Sequence, residues 1–212
     1  MKNYKIRRVL MFVMLVCVLM LSTGLGSMAS PSTLIVGQGS DVATLDPQLQ
    51  GNMVNMNVLI NIFDTLVTRD ANMELAPGLA TSWKPISQTT WEFKLRKGVT
   101  FHNGEPFNAE SVKFSIERLL DPKTNSPIVE LKTVSRVDIV DNYTVRIITS
   151  EPDPLLPAKM VLFGGCIVPK DYISKSGDAK FASQPIGTGP YQFVKWIRDD
   201  RVVLKANPSY WR

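Results

Sequence analysis

Apolar and polar residues alternate from Trp91 to Arg96, a pattern that predicts a strand with one apolar face. The pair Asn103-Gly104 predicts a turn, because glycine adopts positive φ without steric cost and asparagine tolerates it. A helix is predicted from Asn108, whose side chain can accept hydrogen bonds from the free N–H groups of the first turn. Four apolar residues at helical spacing would form its buried stripe: Val112, Ile116, Leu119 and Leu120. Asp121-Pro122 is predicted to end the helix, since the residue before a proline disfavours the helical conformation.

Further elements are predicted on both sides of this stretch. Residues 33–37 form an apolar run that predicts a first strand buried on both faces, and apolar residues recur at helical spacing from Met53 to Phe63. Alternation around Asp141-Asn142 and around residues 198–201 predicts two β-hairpins. The remaining predictions are short elements: a helix within residues 155–162, a strand at 166–168 and a helix that begins at 169.

The N-terminus has the layout of a secretory signal peptide, which we predict to comprise residues 1–29. An apolar run from Val9 to Leu21 precedes the small-x-small sequence Ser27-Met28-Ala29, and four basic residues stand before it: Lys2, Lys5, Arg7 and Arg8. The alternative is an uncleaved membrane anchor, but the run is shorter than the roughly 20 residues that span a bilayer. Lipid attachment through Cys17 is not expected, because a lipoprotein signal has small residues just before its cysteine.

The basic character of the chain belongs to this N-terminal segment. The whole sequence has a formal net charge of +5, and residues 1–29 contain four basic and no acidic residues, which leaves +1 for the rest. A nucleic-acid partner is therefore not expected, because such binding depends on many lysine and arginine contacts to phosphates.

Candidate catalytic and metal-ligating side chains are few. His102 is the single histidine, and Cys166 would be the single cysteine after removal of residues 1–29. One histidine and one cysteine cannot complete a four-ligand zinc site, and no nucleophile is paired with a base in the sequence. A dinucleotide-binding loop fails as well, because the pattern that begins Gly37-x-Gly39 has Val42 where the third glycine is needed. We therefore predict no catalytic residue, no metal and no cofactor, a structural role for His102, and a buried, unpaired Cys166.

Four runs of this sequence resemble patterns of the extracellular solute-binding proteins of family 5, which serve oligopeptide, dipeptide and nickel ABC importers. Residues 76–83 match Ala-Pro-Gly-Leu-Ala-x-Ser-Trp, and residues 93–112 match Phe-x-Leu-Arg-x-Gly-Val-x-Phe-His-x-Gly-x-Pro-Phe-x-Ala-x-x-Val. Residues 187–191 match Gly-Thr-Gly-Pro-Tyr, and residues 207–211 match Asn-x-x-Tyr-Trp. The resemblance extends over nearly the whole chain after residue 29.

The resemblance implies an α/β, periplasmic-binding-protein-like type II fold, in which two lobes close on a ligand. The first lobe would be present in part, as residues 30–74 and 185–212, with a small α/β subdomain at 75–184. The second lobe would be absent from these 212 residues. As in the family, the full-length protein is expected to be a monomer.

The resemblance also implies where a ligand would bind. In the family the segment between a Leu-Asp-Pro turn and the following helix lines the cleft, and here it corresponds to Gly51, Asn52 and Met53. The alternative is that these three are ordinary loop and helix-start residues. A Ser-Pro-aromatic element, whose ring packs on bound peptide in the oligopeptide branch, corresponds to residues 126–128. Because Ile128 can neither stack nor donate a side-chain hydrogen bond, we predict a ligand contact at Ile128 that differs from the aromatic one.

The implied function is the substrate-binding component of an ABC importer, which captures peptides or similar small solutes in the periplasm and delivers them to the permease membrane subunits. Which solute it takes stays open between dipeptides, longer peptides, glutathione, nickel chelates and sugars. One alternative is a truncated fragment without a transport role. Another is a secreted enzyme, which the lack of a nucleophile–base set disfavours. Residues 30–212 alone are predicted not to bind peptide tightly, since the resemblance places one wall of the cleft outside them.

Overall fold

The computed structural model describes residues 32–212, and Gln38–Arg212 form one compact unit. Its α-helices are α1 (Met53–Leu59), α2 (Ala109–Leu120), α3 (Leu156–Lys159), α4 (Lys170–Ser176) and α5 (Asp178–Phe181). Its strands are β1 (Val67–Arg69), β2 (Leu75–Pro77), β3 (Ala80–Ser87), β4 (Thr90–Leu95), β5 (Val134–Asp141), β6 (Thr144–Thr149), β7 (Tyr191–Ile197) and β8 (Arg201–Ala206). Short 3₁₀ turns occur at Pro122–Thr124 and Phe163–Gly165. The unit is mixed α/β, as predicted.

An antiparallel sheet of four strands, in the order β3-β4-β6-β5, forms the centre of the unit. The register places Phe93 of β4 opposite Val145 of β6, and Ile147 of β6 opposite Val137 of β5. Helix α2 packs on this sheet, and the four side chains just named are buried without contact to solvent. Burying each such apolar side chain stabilises the fold by about 1.5–3 kcal/mol. Strands β1 and β2, and likewise β7 and β8, form separate two-stranded antiparallel sheets.

Helix α2 begins and ends where the sequence predicts. The Asn108 side chain accepts hydrogen bonds from the backbone N–H groups of Glu110 and Ser111, at 2.9 and 3.2 Å. Asp121, next to Pro122, has extended backbone angles of φ −67° and ψ 122°. Three residues of the predicted stripe are buried and Leu120 is half-buried. The Asn103-Gly104 turn is confirmed too, since Gly104 has φ +86°.

Both predicted hairpins are confirmed. Strands β5 and β6 pair across the turn that contains Asn142, and β7 and β8 pair across residues 198–200. Short helices also lie where expected, since α3 falls within residues 155–162 and α4 begins next to Pro169. Hairpins and capped helices are specified by neighbouring residues, which explains why the local patterns located them.

Two strand predictions were wrong. Residues 33–37 have no regular secondary structure, and Leu34, Ile35 and Val36 are 84%, 88% and 75% exposed. In the described part of the chain no strand pairs with this segment. Residues 166–168 form no strand either, and Cys166 makes only a single bridge to Thr65. An apolar run by itself does not make a strand, because a strand requires a hydrogen-bonded neighbour.

The predicted helix over residues 53–63 is shorter than expected. It ends at Leu59, and Ile60, which the spacing assigned to the buried side, is 52% exposed at the C-cap. The predicted boundaries at 74 and 184 stay a prediction, and the predicted signal peptide lies outside the described residues. Within residues 32–212 no helix has both the length and the apolar content that a membrane crossing requires.

Candidate functional site

The three residues predicted to line a ligand cleft lie on the surface, at the start of α1. Gly51, Asn52 and Met53 are exposed, and Met53 keeps 58% of its surface in contact with solvent. The Asn52 side chain caps α1 by accepting the N–H of Asn55 at 3.0 Å, and its amide donates to Gln50 Oε1 at 2.8 Å. Asn52 therefore has the helix-start role of the alternative interpretation, while the side chain of Met53 is accessible to a ligand.

The fourth predicted residue, Ile128, lies in the apolar core and is only 7% exposed. Its backbone N–H donates to Ser126 Oγ at 3.2 Å, and that hydroxyl donates to the carbonyl oxygen of Gln48 at 2.6 Å. The structure therefore joins the Ser-Pro-Ile element to the segment that leads into Gly51. A ligand contact of the Ile128 side chain stays a prediction.

A buried ion pair fixes the segment before Gly51 to helix α2. The guanidinium of Arg118, only 7% exposed, donates to Asp46 Oδ2 at 2.6 Å and to Gln48 Oε1 at 2.6 Å. It also donates to Asp178 Oδ1 of α5 at 2.7 Å. Burial alone would lower the pKa of Arg118, but the hydrogen bonds and charges of Asp46 and Asp178 together raise that pKa above its ordinary value. We call Asp46, Gln48, Arg118 and Asp178 the Arg118 cluster.

The Arg118 cluster also bonds to the backbone of α2, since the Gln48 side-chain amide donates to the carbonyl oxygen of Ser115 at 2.7 Å. The cluster was not among the predicted site residues, although α2 carries a signal for it. Ser111, Ser115 and Arg118 follow one another at helical spacing next to the apolar stripe, and all three are buried. Buried polar residues at that spacing indicate a partner with complementary polar groups, because an unpaired one would be costly.

A second carboxylate, that of Asp64, accepts hydrogen bonds from three uncharged side chains. The Thr188 hydroxyl donates to Oδ2 at 2.9 Å, the Tyr210 hydroxyl to Oδ1 at 3.0 Å and the Trp211 indole N–H to Oδ2 at 2.7 Å. Burial raises the pKa of Tyr210 to about 12, and the charge of Asp64 and the hydrogen bond to it act in the same direction. We call Asp64, Thr188, Tyr210 and Trp211 the Asp64 cluster. It joins the sequence motifs at 187–191 and 207–211, which are distant along the chain.

The glycines of the first of these motifs allow a close backbone approach. A Cβ atom on Gly187 would lie 1.9 Å from the carbonyl oxygen of Ile62, and one on Gly189 would lie 2.6 Å from the Ile62 carbonyl carbon. The backbone N–H of Gly189 donates to the Ile62 oxygen at 2.9 Å. Any side chain at either position would displace the motif from Ile62.

The remaining candidate catalytic or metal-ligating side chains are already hydrogen-bonded, as His102 is, or buried, as Cys166 is. Both ring nitrogens of His102 bond to backbone groups, Nε2 to Gly189 O at 3.0 Å and Nδ1 to Gly187 N at 3.3 Å. Cys166 is unpaired and buried, and burial raises the pKa of its thiol to about 12. Among residues 32–212 no three His, Cys, Asp or Glu side chains are grouped so as to hold a metal ion. These groups support the fold.

A surface cavity of about 720 Å³ lies apart from the predicted lining residues. It is bordered by the β7–β8 hairpin, the segment 183–186, Tyr172 of α4 and His102. None of the four predicted site residues borders it, so the cavity and the predicted site are different surfaces.

Comparison with known proteins gives the same family as the sequence motifs. The model of the bacterial extracellular solute-binding proteins, family 5 middle region, matches residues 74–212. The periplasmic oligopeptide-binding protein OppA of Escherichia coli (strain K12) is 31% identical over 206 residues, which cover 87% of this chain and 38% of OppA.

Two solved structures have the same fold over most of this chain. NikZ from Campylobacter jejuni in complex with Ni(L-His) is 33% identical with a TM-score of 0.74, over 81% of this chain and 34% of NikZ. DppA from Helicobacter pylori in complex with the peptide STSA is 30% identical with a TM-score of 0.73, over 82% of this chain and 39% of DppA. The chain thus spans between a third and two fifths of the relatives it matches, as part of a two-lobed periplasmic binding protein fold.

Proposed function

The chain belongs to the bacterial extracellular solute-binding proteins of family 5, and we propose that it acts as substrate-binding component of an ABC importer. It captures peptides or similar small solutes in the periplasm and delivers them to the permease membrane subunits. The observation that carries this proposal is the family match over residues 74–212, together with similarity to OppA over 87% of the chain. The names of OppA and of the DppA–peptide complex favour peptides among the possible solutes.

Solute capture of this kind needs no bond-breaking residue, so the proposal is a binding protein and not an enzyme. Its affinity comes from burying the solute and from satisfying the solute's polar groups. The bonded ring nitrogens of His102 and the buried Cys166 thiol support this assignment, because neither group is available to a reacting substrate.

Within this function, the surface formed by Gly51, Asn52 and Met53 is the proposed ligand contact. Its support is geometric. The Arg118 cluster fixes Gln48, three residues before Gly51, and Asn52 fixes the first turn of α1. The segment between them is short and anchored at both ends, while Met53 is exposed for apolar contact. Ile128 would contribute through its backbone bond to Ser126 and the Ser126–Gln48 hydrogen bond, by supporting that segment.

A binding titration tests the proposal with two probes taken from the relatives, the tetrapeptide STSA and Ni(L-His). The backbone amide signals of the purified chain are followed by NMR as either probe is added. Saturable changes at Gly51, Asn52 and Met53 are expected, at an affinity that is not tight. Saturable changes confined to other surfaces would contradict the proposed contact, and no saturable change with either probe would contradict solute binding by this chain.

Two substitutions on α1 provide a matched control for the same titration. Met53 and Ile60 are similarly exposed, at 58% and 52%, and lie at opposite ends of the helix. Met53→Glu is expected to weaken probe binding about tenfold, which corresponds to about 1.4 kcal/mol. Ile60→Glu introduces the same charge outside the proposed surface and should leave binding unchanged. Equal losses in the two variants would indicate a charge effect and contradict a specific contact at Met53.

A further inference from the structure

The imidazole of His102 connects two segments that are far apart in sequence. Its Nε2 lies 3.0 Å from the carbonyl oxygen of Gly189, and its Nδ1 lies 3.3 Å from the backbone nitrogen of Gly187. A third bond runs between the backbones, from His102 N–H to Gly187 O at 2.8 Å. The turn that contains His102 is therefore bonded to the segment Gly187–Gly189 through both its side chain and its backbone.

The partners determine the protonation state that this geometry requires. A backbone N–H can only donate, so Nδ1 of His102 must accept the hydrogen bond from Gly187 and carry no proton. A carbonyl oxygen can only accept, so Nε2 must donate its proton to Gly189. A neutral imidazole with its proton on Nε2 satisfies both requirements, and the imidazolium cannot, because both of its nitrogens are donors.

The segment Gly187–Gly189 is also fixed by hydrogen bonds that do not involve His102. The Thr188 hydroxyl donates to Asp64, and Gly189 N–H donates to the carbonyl oxygen of Ile62. Protonation of Nδ1 would remove the bond from Gly187 N–H, while the bonds to Gly187 O and Gly189 O and the bonds to Asp64 and Ile62 can persist. The expected consequence is a local opening at Gly187, which a global unfolding measurement would barely register.

The charged groups around His102 differ in sign. Asp64 favours the imidazolium, and Glu105 in the same turn is bonded through its carboxylate to the first N–H groups of α4. Tyr172, which borders the same cavity, donates its hydroxyl to Gln184 O. Three basic side chains of the β7–β8 hairpin also border that cavity: Lys195, Arg198 and Lys205.

We propose that His102 is a pH-sensitive latch, which is closed while Nδ1 of the neutral imidazole accepts the N–H of Gly187 and opens when protonation of Nδ1 releases that N–H. This device goes beyond the proposed function, since it depends on the hydrogen bonds of one side chain and not on any solute. It adds a condition to the fold: the segment that leads into β7 is fully fixed only where the imidazole is neutral.

The direction of the pH dependence follows from the pKa of the ring. Burial lowers the pKa of His102 below its ordinary value of 6.5, although the bond to Gly189 and the charge of Asp64 oppose the shift. The opened segment then binds a proton more readily than the closed one. The stabilisation of the closed latch is accordingly complete above pH 6.5 and is lost as the pH falls from 6.5 through the lowered pKa.

Because His102 is the only histidine of the chain, one ring signal reports the whole titration. Nitrogen-15 NMR of the histidine-labelled protein is expected to show the Nε2–H tautomer and a titration midpoint below 6.5. The protection of the Gly187 amide against hydrogen exchange should fall by up to about tenfold per pH unit between 6.5 and that midpoint.

The variant His102→Gln is the control, since its amide offers a donor and an acceptor and does not titrate. In this variant the protection of Gly187 is expected to be independent of pH over the same interval. A midpoint at or above 6.5, the Nδ1–H tautomer, or a Gly187 protection that does not change with pH in the natural protein would each overturn the proposal. These readings are taken on the natural protein, so they decide the question even if the variant does not fold. Equal pH dependence in the two proteins would overturn it as well.

Discussion

Two aspartates, Asp46 and Asp64, each accept several long-range hydrogen bonds, and their partners differ in charge. Asp46 in the Arg118 cluster is fully buried and faces a guanidinium that is nearly as buried. Asp64 in the Asp64 cluster is half-buried and accepts from a hydroxyl, a phenol and an indole, all of them neutral. The negative charge of Asp46 is balanced by the positive charge of Arg118. The negative charge of Asp64 is stabilised by the dipoles of its uncharged hydrogen-bond donors and by partial hydration.

The difference indicates what each cluster can tolerate. A buried ion pair contributes little net stability compared with apolar packing, but removal of one partner leaves an uncompensated buried charge. A half-buried carboxylate that loses one neutral donor can still be hydrated. Loss of one partner from the Arg118 cluster is therefore expected to release the whole segment before Gly51. The Asp64 cluster can instead lose its bonds to the Gly187–Gly189 segment and to Tyr210 one at a time.

The largest effect is expected from Arg118→Met. Methionine has an apolar side chain of a length similar to that of arginine, but it carries no charge. Asp46 would stay buried without its cation, so the free energy of unfolding should fall by about 3–5 kcal/mol. Chemical denaturation measures the change. Arg136→Met removes a partner of the exposed pair with Asp138, and its cost should not exceed about 1 kcal/mol. If both variants lose the same stability, the buried cluster has no special role.

A smaller effect is expected from Asp64→Asn. The variant keeps one acceptor oxygen but replaces charge-assisted hydrogen bonds with ordinary ones, and the loss of unfolding free energy should be about 1–3 kcal/mol. Asp200→Asn, which changes an exposed aspartate paired with Arg201, should be nearly neutral. Similar losses in the two variants would show that Asp64 has no greater importance than a surface carboxylate.

The same variant should also change the titration of Tyr210. Removal of the negative charge of Asp64 is expected to lower the pKa of Tyr210 from about 12, while burial keeps it above the ordinary value of a tyrosine. Ultraviolet difference titration detects the phenolate, and subtraction of the Tyr210→Phe variant isolates its contribution. An unchanged titration would mean that burial alone sets this pKa.

The smallest effect concerns the cap at Asn52, next to the anchored segment. Asn52→Ala should cost about 1 kcal/mol of unfolding free energy because it leaves the N–H of Asn55 without its acceptor. Asn52→Asp keeps the cap and should be nearly neutral for stability. If Asn52 also contacts ligand, the aspartate variant will bind the tetrapeptide STSA differently despite its unchanged stability. Identical binding would restrict Asn52 to its structural role.

Local signals explain why part of this fold was predictable. The cap at Asn108 and the proline after Asp121 specify α2 through neighbouring residues, and the structure confirms both ends. The strand expected at residues 33–37 depends on pairing with a distant strand, and apolar content carried no information about that partner. The sequence pattern therefore located the elements that neighbouring residues specify. It was wrong where an element depends on hydrogen bonds to a strand that is distant in sequence.

The candidate site shows the same limit. The family resemblance led to Gly51–Met53, and these residues are exposed. Ile128 was chosen by position in a motif, and no local pattern indicated that its side chain is buried in the core. Arg118 was missed because its partners Asp46 and Asp178 are 72 and 60 residues away in sequence. Interactions between neighbouring residues can be predicted from a sequence pattern. Interactions between residues that come together only after folding cannot.

The most direct test of the proposed ligand surface is photo-crosslinking with a diazirine-bearing derivative of the tetrapeptide STSA, followed by peptide mapping with mass spectrometry. Competition with unlabelled peptide identifies the specific products. We expect competed crosslinks at Gly51, Asn52 or Met53 of the natural protein and their loss in Met53→Glu. Competed crosslinks confined to the cavity beside Trp196 and Lys205, with none at residues 51–53, would contradict the assignment of the ligand contact.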